Sequence, residues 1–160
     1  MQIKAFTQNR VDAILFVQEK ERQYNMLKLF LSSHGHMASG MKDSIEFFCG
    51  QNNNLTVFDA YVDEKNISEQ LDAFYETVEE DDQVILLSDL YGGSVNQQMY
   101  MYLDRQNTML VAGVNLALVL ELTALDSITE EGLERLVEQS REALKIVKPE
   151  ESKTEEDDFF

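Results

Sequence analysis

From residue 27 onward, short runs of consecutive apolar residues alternate with stretches in which apolar positions recur every three or four residues. The first kind suits strands buried on both faces and the second amphipathic helices, so the alternation predicts a parallel sheet with crossover helices. Strands are expected over residues 27–33, 55–61, 83–88 and 108–114. Between the first two, Met37, Met41, Ile45 and Phe48 fall on one helical face, and Gly50 followed by three asparagines supplies a stop. Asn66, with Glu69 three residues later, reads as the cap of a helix carrying Ile67, Leu71, Phe74 and Val78, which the acidic run 79–82 should end in solvent. A third helix should start near Ser94 and bury Val95, Met99 and Leu103 before residues 104–107 turn the chain. The fold class that follows is α/β, a doubly wound, mainly parallel four-stranded sheet of order 2-1-3-4 with helices on both faces.

Past the fourth strand, Asn115 can cap the segment 116–125, which is apolar nearly all round and therefore buried or used at a subunit contact such as a homodimer. Ser127 with Glu130 suggests another cap, and Leu133, Leu136, Val137, Leu144 and Val147 give a last amphipathic helix ending before Pro149. Residues 1–25 have little period and are read as an N-terminal extension or a misassigned start, with Met26 as the true beginning. A short amphipathic helix over 11–17 is the competing reading. Residues 26–148 then form one domain and 149–160 an acidic tail.

Composition narrows the partners. A chain of 160 residues with 44% hydrophobic content buries one sizeable core. The net charge of -17 would repel nucleic acid and anionic membrane and favours basic protein partners. Most of it, -13, lies between residues 26 and 149, so the acidity belongs to the folded part. The single cysteine, Cys49, sits beside Phe47 and Phe48 and is expected to be core filler in a reducing compartment. With no apolar run of membrane-spanning length and no signal-like N-terminus, the expected location is the cytoplasm.

Two polar clusters fall at expected strand ends, where open α/β sheets bind ligands. The first strand delivers His34-Gly35-His36 and the third Asp89-Leu90-Tyr91-Gly92-Gly93-Ser94. Order 2-1-3-4 would set them side by side. If Asp89 accepts a hydrogen bond from one ring N–H of His34, the tautomer is fixed and the other nitrogen's lone pair is free to attack phosphorus. Gly92, Gly93 and the start of the Ser94 helix could offer backbone N–H groups to the phosphoryl oxygens without a metal or other cofactor, and the Ser94 hydroxyl could cap the helix or donate to an oxygen. Each element also has a plain structural reading: a hydrogen-bonded histidine, a turn aspartate, a Gly-Gly-Ser turn with a cap. Gly35 and His36 are neighbours of the site in this reading.

The segments LFLSSHGHMASGMKDSIEFFCG, LTVFDAYVDE and VILLSDLYGGSVNQ resemble the enzyme IIA domain of the mannose/fructose/sorbose-type sugar phosphotransferase system, over residues 26 to about 148. The resemblance implies that His34 is the phosphorylated histidine, taking phosphate from the carrier HPr and passing it to a IIB component, in indirect association with membrane IIC and IID subunits. It also implies that Asp89 orients the histidine and that Gly92, Gly93 and Ser94 line the phosphate side. Such a component touches phosphate and proteins but no sugar. Two departures stand out: His36 replaces an aromatic residue of some relatives, and only a short stretch follows the last helix, where relatives exchange a strand between subunits. The rival readings are a regulatory, phosphorylation-sensing domain of the same fold and a metal-dependent hydrolase using His34, His36 and Asp89. A two-component receiver would use Asp89 as acceptor but needs an acidic pair where this chain has Ser33, His34 and Gly35.

Overall fold

The computed structural model describes residues 25–149. Its elements run β1 (Leu27–His34), α1 (Met37–Cys49), β2 (Leu55–Ala60), α2 (Ile67–Tyr75), β3 (Gln83–Ser88), α3 (Ser94–Tyr100), β4 (Thr108–Ala112), α4 (Leu116–Thr123) and α5 (Glu130–Arg141). All three strand pairings are parallel and the order is β2-β1-β3-β4, as the alternation predicts. Side chains alternate across the pleat, which splits the core in two. Leu27, Leu29, Leu31, Ile85 and Leu87 meet α1, α4 and α5 through Met41, Ile45, Leu118, Leu122 and Leu133. On the other face, Phe30, Val84 and Leu86 meet α2 and α3 through Leu71, Phe74, Val95 and Met99. With both faces covered, the middles of β1 (residues 29–31) and β3 (residues 84–87) are apolar on both sides, which is why they read as unbroken runs.

Several details differ from the sequence reading. In α1 only Ala38, Met41 and Ile45 are buried. Met37 and Phe48 stay exposed, and Phe48 instead packs edge to face on exposed Phe47, 5.5 Å between centroids. Cys49, next in the chain, is exposed with them rather than filling the core. Asp82 does not end α2 in solvent. It is buried, its Oδ2 lies 2.9 Å from Lys28 Nζ, and Lys28 also donates to the Thr77 carbonyl. Burial of the acid is tolerable because a cation faces it.

The third helix stops at Tyr100, leaving Leu103 partly exposed, and the last helix is capped by Thr129, whose hydroxyl accepts from the Gly132 amide at 3.1 Å, not by Ser127. That helix ends at Arg141, short of Leu144 and Val147, which are exposed. Asn115 supplies a reason. Its Oδ1 accepts from the Leu118 amide as the cap of α4, while its Nδ2 donates to the Ser140 carbonyl at 2.7 Å and holds the last turn of α5. In the apolar segment after Asn115, Leu118, Val119 and Leu122 are buried, and Leu116, Leu120 and Leu125 pack partly buried against the same core. The readings made for residues 1–24 and 150–160 lie outside the described residues.

Candidate functional site

The connection leaving β1 leads to β2 on one side and the connection leaving β3 leads to β4 on the other, so a crevice opens between the carboxyl ends of β1 and β3. His34 is the last residue of β1, and Gly35 follows with φ +62°, a left-handed turn that suits glycine. Asp89 follows the last residue of β3. The two segments meet: Asp89 Oδ2 accepts from the His34 backbone amide at 2.9 Å and lies 2.8 Å from His34 Nδ1. A carboxylate at Nδ1 makes that nitrogen the N–H donor and leaves the lone pair on Nε2. Burial pushes the Asp89 carboxyl upward, but the His34 amide, the ring N–H and the ring charge outweigh it and hold the group below the ordinary value of 3.8. The aspartate is therefore ionised at neutral pH.

Nε2 has its own partner. Ser94 Oγ lies 3.0 Å away, and Tyr61 Oη donates to Ser94 Oγ at 2.8 Å while the Tyr61 ring stacks on the imidazole. The hydrogen bonds order themselves in one direction, from Tyr61 to Ser94 to Nε2 and from Nδ1 to Asp89. Ser94 is the first residue of α3 and does not cap it; Gly93 occupies the cap position. A Cβ on Gly93 would lie 3.3 Å from His34 Cε1 and 3.2 Å from the Leu90 carbonyl oxygen, so glycine lets the loop lie flat against the ring. Gly92 has φ +73°. The amides expected to be free in this loop are engaged within it: Gly92 N–H donates to Asn96 Oδ1 at 3.1 Å and Gly93 N–H to the Leu90 carbonyl at 3.2 Å. Buried Asn96 also donates to Ser88 Oγ, tying the loop to β3. The glycines thus shape the loop, and the Ser94 hydroxyl lies on the Nε2 side with Tyr61 Oη behind it.

His36 belongs to a different cluster. Its Nδ1 lies 3.0 Å from Asp59 Oδ2, and Asp59 also accepts from the Ser39 amide at 2.9 Å and the Ser39 hydroxyl at 2.6 Å. Burial raises the Asp59 carboxyl, and the Ser39 and His36 hydrogen bonds more than compensate, leaving it below 3.8. Because His36 turns toward β2, the three groups of the hydrolase alternative do not converge, and among the described residues no cluster of three or more His, Cys, Asp or Glu is placed to hold a metal. Asp59, Tyr61 and Asn96 were not singled out from the sequence. The signal for the first two was the strand order, which sets Ser33 opposite Asp59 and His34 opposite Ala60, so that Tyr61 comes next to the ring.

The His34 side chain is 40% exposed, and Met37 at the start of α1, Val62 after β2, and Leu90 and Tyr91 after β3 are exposed apolar residues. Among the described residues no helix is long and apolar enough to cross a membrane.

The chain is similar to known proteins in both sequence and fold. The chain is 27% identical over 103 residues, 62% of its own length and 70% of the relative's, to the fructose-specific EIIA component of the phosphotransferase system of Bacillus subtilis. Among solved structures it resembles the phosphotransferase-system IIA protein associated with the fucose utilization operon of Streptococcus pneumoniae, with a TM-score of 0.64 and 27% identity over 77% of this chain and 94% of that one. The mannose/sorbose-specific IIA subunit from Enterococcus faecalis shares the fold with a TM-score of 0.68, at 23% identity and covering 79% of this chain and 98% of that one. Residues 28–140 match the EIIA-man family model, described as the fructose IIA component of the phosphotransferase system. The match takes in every strand and helix but the first residue of β1 and the last residue of α5, together with the whole His34 crevice, and the chain belongs to that family of sugar phosphotransferase system IIA components.

Proposed function

We propose that this chain is a phosphoryl carrier that accepts a phosphoryl group on His34 Nε2 from phosphorylated HPr and passes it to a IIB component for sugar uptake. The observation that carries the reading is the contact of His34 Nδ1 with the ionised Asp89 at 2.8 Å, which directs the lone pair to Nε2. The Nε2 lone pair attacks phosphorus in line with the donor's departing nitrogen, Nδ1 keeps its proton, and the positive charge that develops on the ring faces Asp89. Alignment and charge stabilisation are most of what such a transfer asks of a protein. Passing the group on reverses the same steps, which suits a carrier whose phosphoramidate is held and not hydrolysed. Ser94 supplies a hydroxyl donor to the phosphoryl oxygens, and Gly92 and Gly93 keep the loop close enough for it to reach. In this reading residues 26–148 form the functional unit, working in the cytoplasm beside the membrane IIC and IID subunits.

The test is phosphorylation of the full chain with phosphoenolpyruvate, enzyme I and HPr. One acid-labile, base-stable phosphate is expected, and it should be absent in His34→Ala of unchanged circular dichroism. Undiminished labelling of that variant would sink the assignment.

A further inference from the structure

We propose that Tyr61 is a positioning residue for phosphoryl transfer at His34, acting through the Ser94 hydroxyl; the inference rests on the reading of His34 as the acceptor. Three observations carry it. Tyr61 Oη donates to Ser94 Oγ at 2.8 Å, and that oxygen lies 3.0 Å from His34 Nε2. The Tyr61 ring stacks on the imidazole with 5.4 Å between centroids and 24° between planes. Finally, Tyr61 has φ +64° and yet is 64% exposed. A bulky aromatic in the left-handed region is strained, and one so exposed returns little to the core, so the strain is held in place by its contacts at the site.

The proton order explains what Tyr61 does. Asp89 is an acceptor, so Nδ1 donates, Nε2 accepts, and Ser94 must donate to Nε2. A serine hydroxyl has one proton and turns freely unless its lone pairs are engaged. By donating to Ser94 Oγ, Tyr61 engages one of them and fixes the rotor with its proton toward the ring. When the phosphoryl group arrives, the Nε2 lone pair forms the new N–P bond as the bond from phosphorus to the donor's nitrogen breaks, that electron pair remaining on the donor. The Ser94 proton, displaced from the lone pair, turns to a phosphoryl oxygen, and no proton changes hands. Tyr61 holds Ser94 Oγ in reach throughout, while its ring covers one face of the imidazole and keeps water from that side of the phosphoramidate.

The experiment compares Tyr61→Phe and Tyr61→Gly with the unaltered full chain. Its readouts are the ¹⁵N shift of His34 Nε2, the rate of transfer from phosphorylated HPr, the phosphohistidine lifetime by ³¹P NMR, and the thermal midpoint. Tyr61→Phe keeps the stacked ring and deletes the donor. It should move the Nε2 shift and slow transfer about three- to tenfold, the equivalent of one ordinary hydrogen bond. Tyr61→Gly should shorten the phosphohistidine lifetime as well, with the thermal midpoint unchanged or raised, because glycine accepts the positive φ. A merely structural tyrosine would instead lose midpoint and transfer together, and that result overturns the inference. So does a Tyr61→Phe variant with an unmoved Nε2 shift and an unaltered rate. His34→Ala run in parallel separates the two levels: label persisting there removes the acceptor reading, whereas label lost there with unaltered Tyr61→Phe removes the role of Tyr61 alone.

Discussion

Replacing Asp89 by asparagine deletes a charge while keeping the shape of the group that faces His34. In the resting protein one oxygen, Oδ2, accepts both the His34 amide at 2.9 Å and the ring Nδ1 at 2.8 Å. An asparagine oxygen in the same place accepts both but carries no charge to meet the positive ring that forms on phosphorylation. A unit charge pair at that separation in an effective dielectric near 20 is worth about 6 kcal/mol. The His34 side chain is 40% exposed, and solvent screening reduces this to about 2 to 3 kcal/mol. Removed from the transition state but not from the neutral ground state, that amount slows transfer about thirty- to hundred-and-fifty-fold. If the amide turns its NH₂ toward Nδ1, the tautomer inverts, Nε2 loses its lone pair and the slowing is larger. The weakened bond to the backbone amide acts on stability instead, at about 1 kcal/mol or roughly 2–4 °C in thermal midpoint. Rapid-quench measurement of phosphoryl transfer from HPr, with a melting curve on the same preparation, reads both quantities. A folded Asp89→Asn variant slowed less than threefold would refute the charge argument.

Three further outcomes follow from the same geometry. Gly93→Ala sets a methyl 3.3 Å from His34 Cε1, and the ring must shift by a few tenths of an ångström; transfer should fall about tenfold while the midpoint changes little, as kinetics and a melt on one sample would show. Lys28→Ala leaves the buried Asp82 side chain, 1% exposed, without its cation and should cost about 3–5 kcal/mol in urea unfolding, with part of the loss recovered in a Lys28→Ala, Asp82→Asn double variant; a loss under about 1 kcal/mol counts against the pair. Asp59 and Asp89 both have carboxyls held below 3.8, so the stability they contribute is complete above that value and disappears as pH falls through their folded-state values. The midpoint difference between the unaltered chain and an Asp59→Asn, Asp89→Asn variant should therefore narrow as the solution is acidified below pH 3.8, and a constant difference would contradict the assignment.

How much of this was legible beforehand depends on where each residue's partners lie. The central strands were readable because a strand covered on both faces is apolar along its middle, as in Val84, Ile85, Leu86 and Leu87 of β3. The meeting of His34 and Asp89 followed from strand order and the rule that ligands gather where that order reverses. The Tyr61 and Asp59 contacts needed more, since they depend on the register of β1 against β2 and on a positive φ in a tyrosine, which composition does not advertise. Ser94 illustrates a limit of cap signals. A one-residue difference in where a helix starts changes a hydroxyl from a cap into a partner of Nε2. Helical period in the last segment likewise says which side chains share a face, not whether anything lies opposite, and Leu144 and Val147 continue the pattern into solvent.

Asn115 makes the start of one helix and the finish of another depend on a single carboxamide, its oxygen serving the first and its nitrogen the second. Slow chemical ageing of that group to an acid would leave the oxygen function intact and abolish the nitrogen one, since an ionised carboxylate has nothing to donate. The damage would then be lopsided: α4 would keep its beginning while α5 came loose at its end, a scar on the back of the sheet that spares the crevice holding His34.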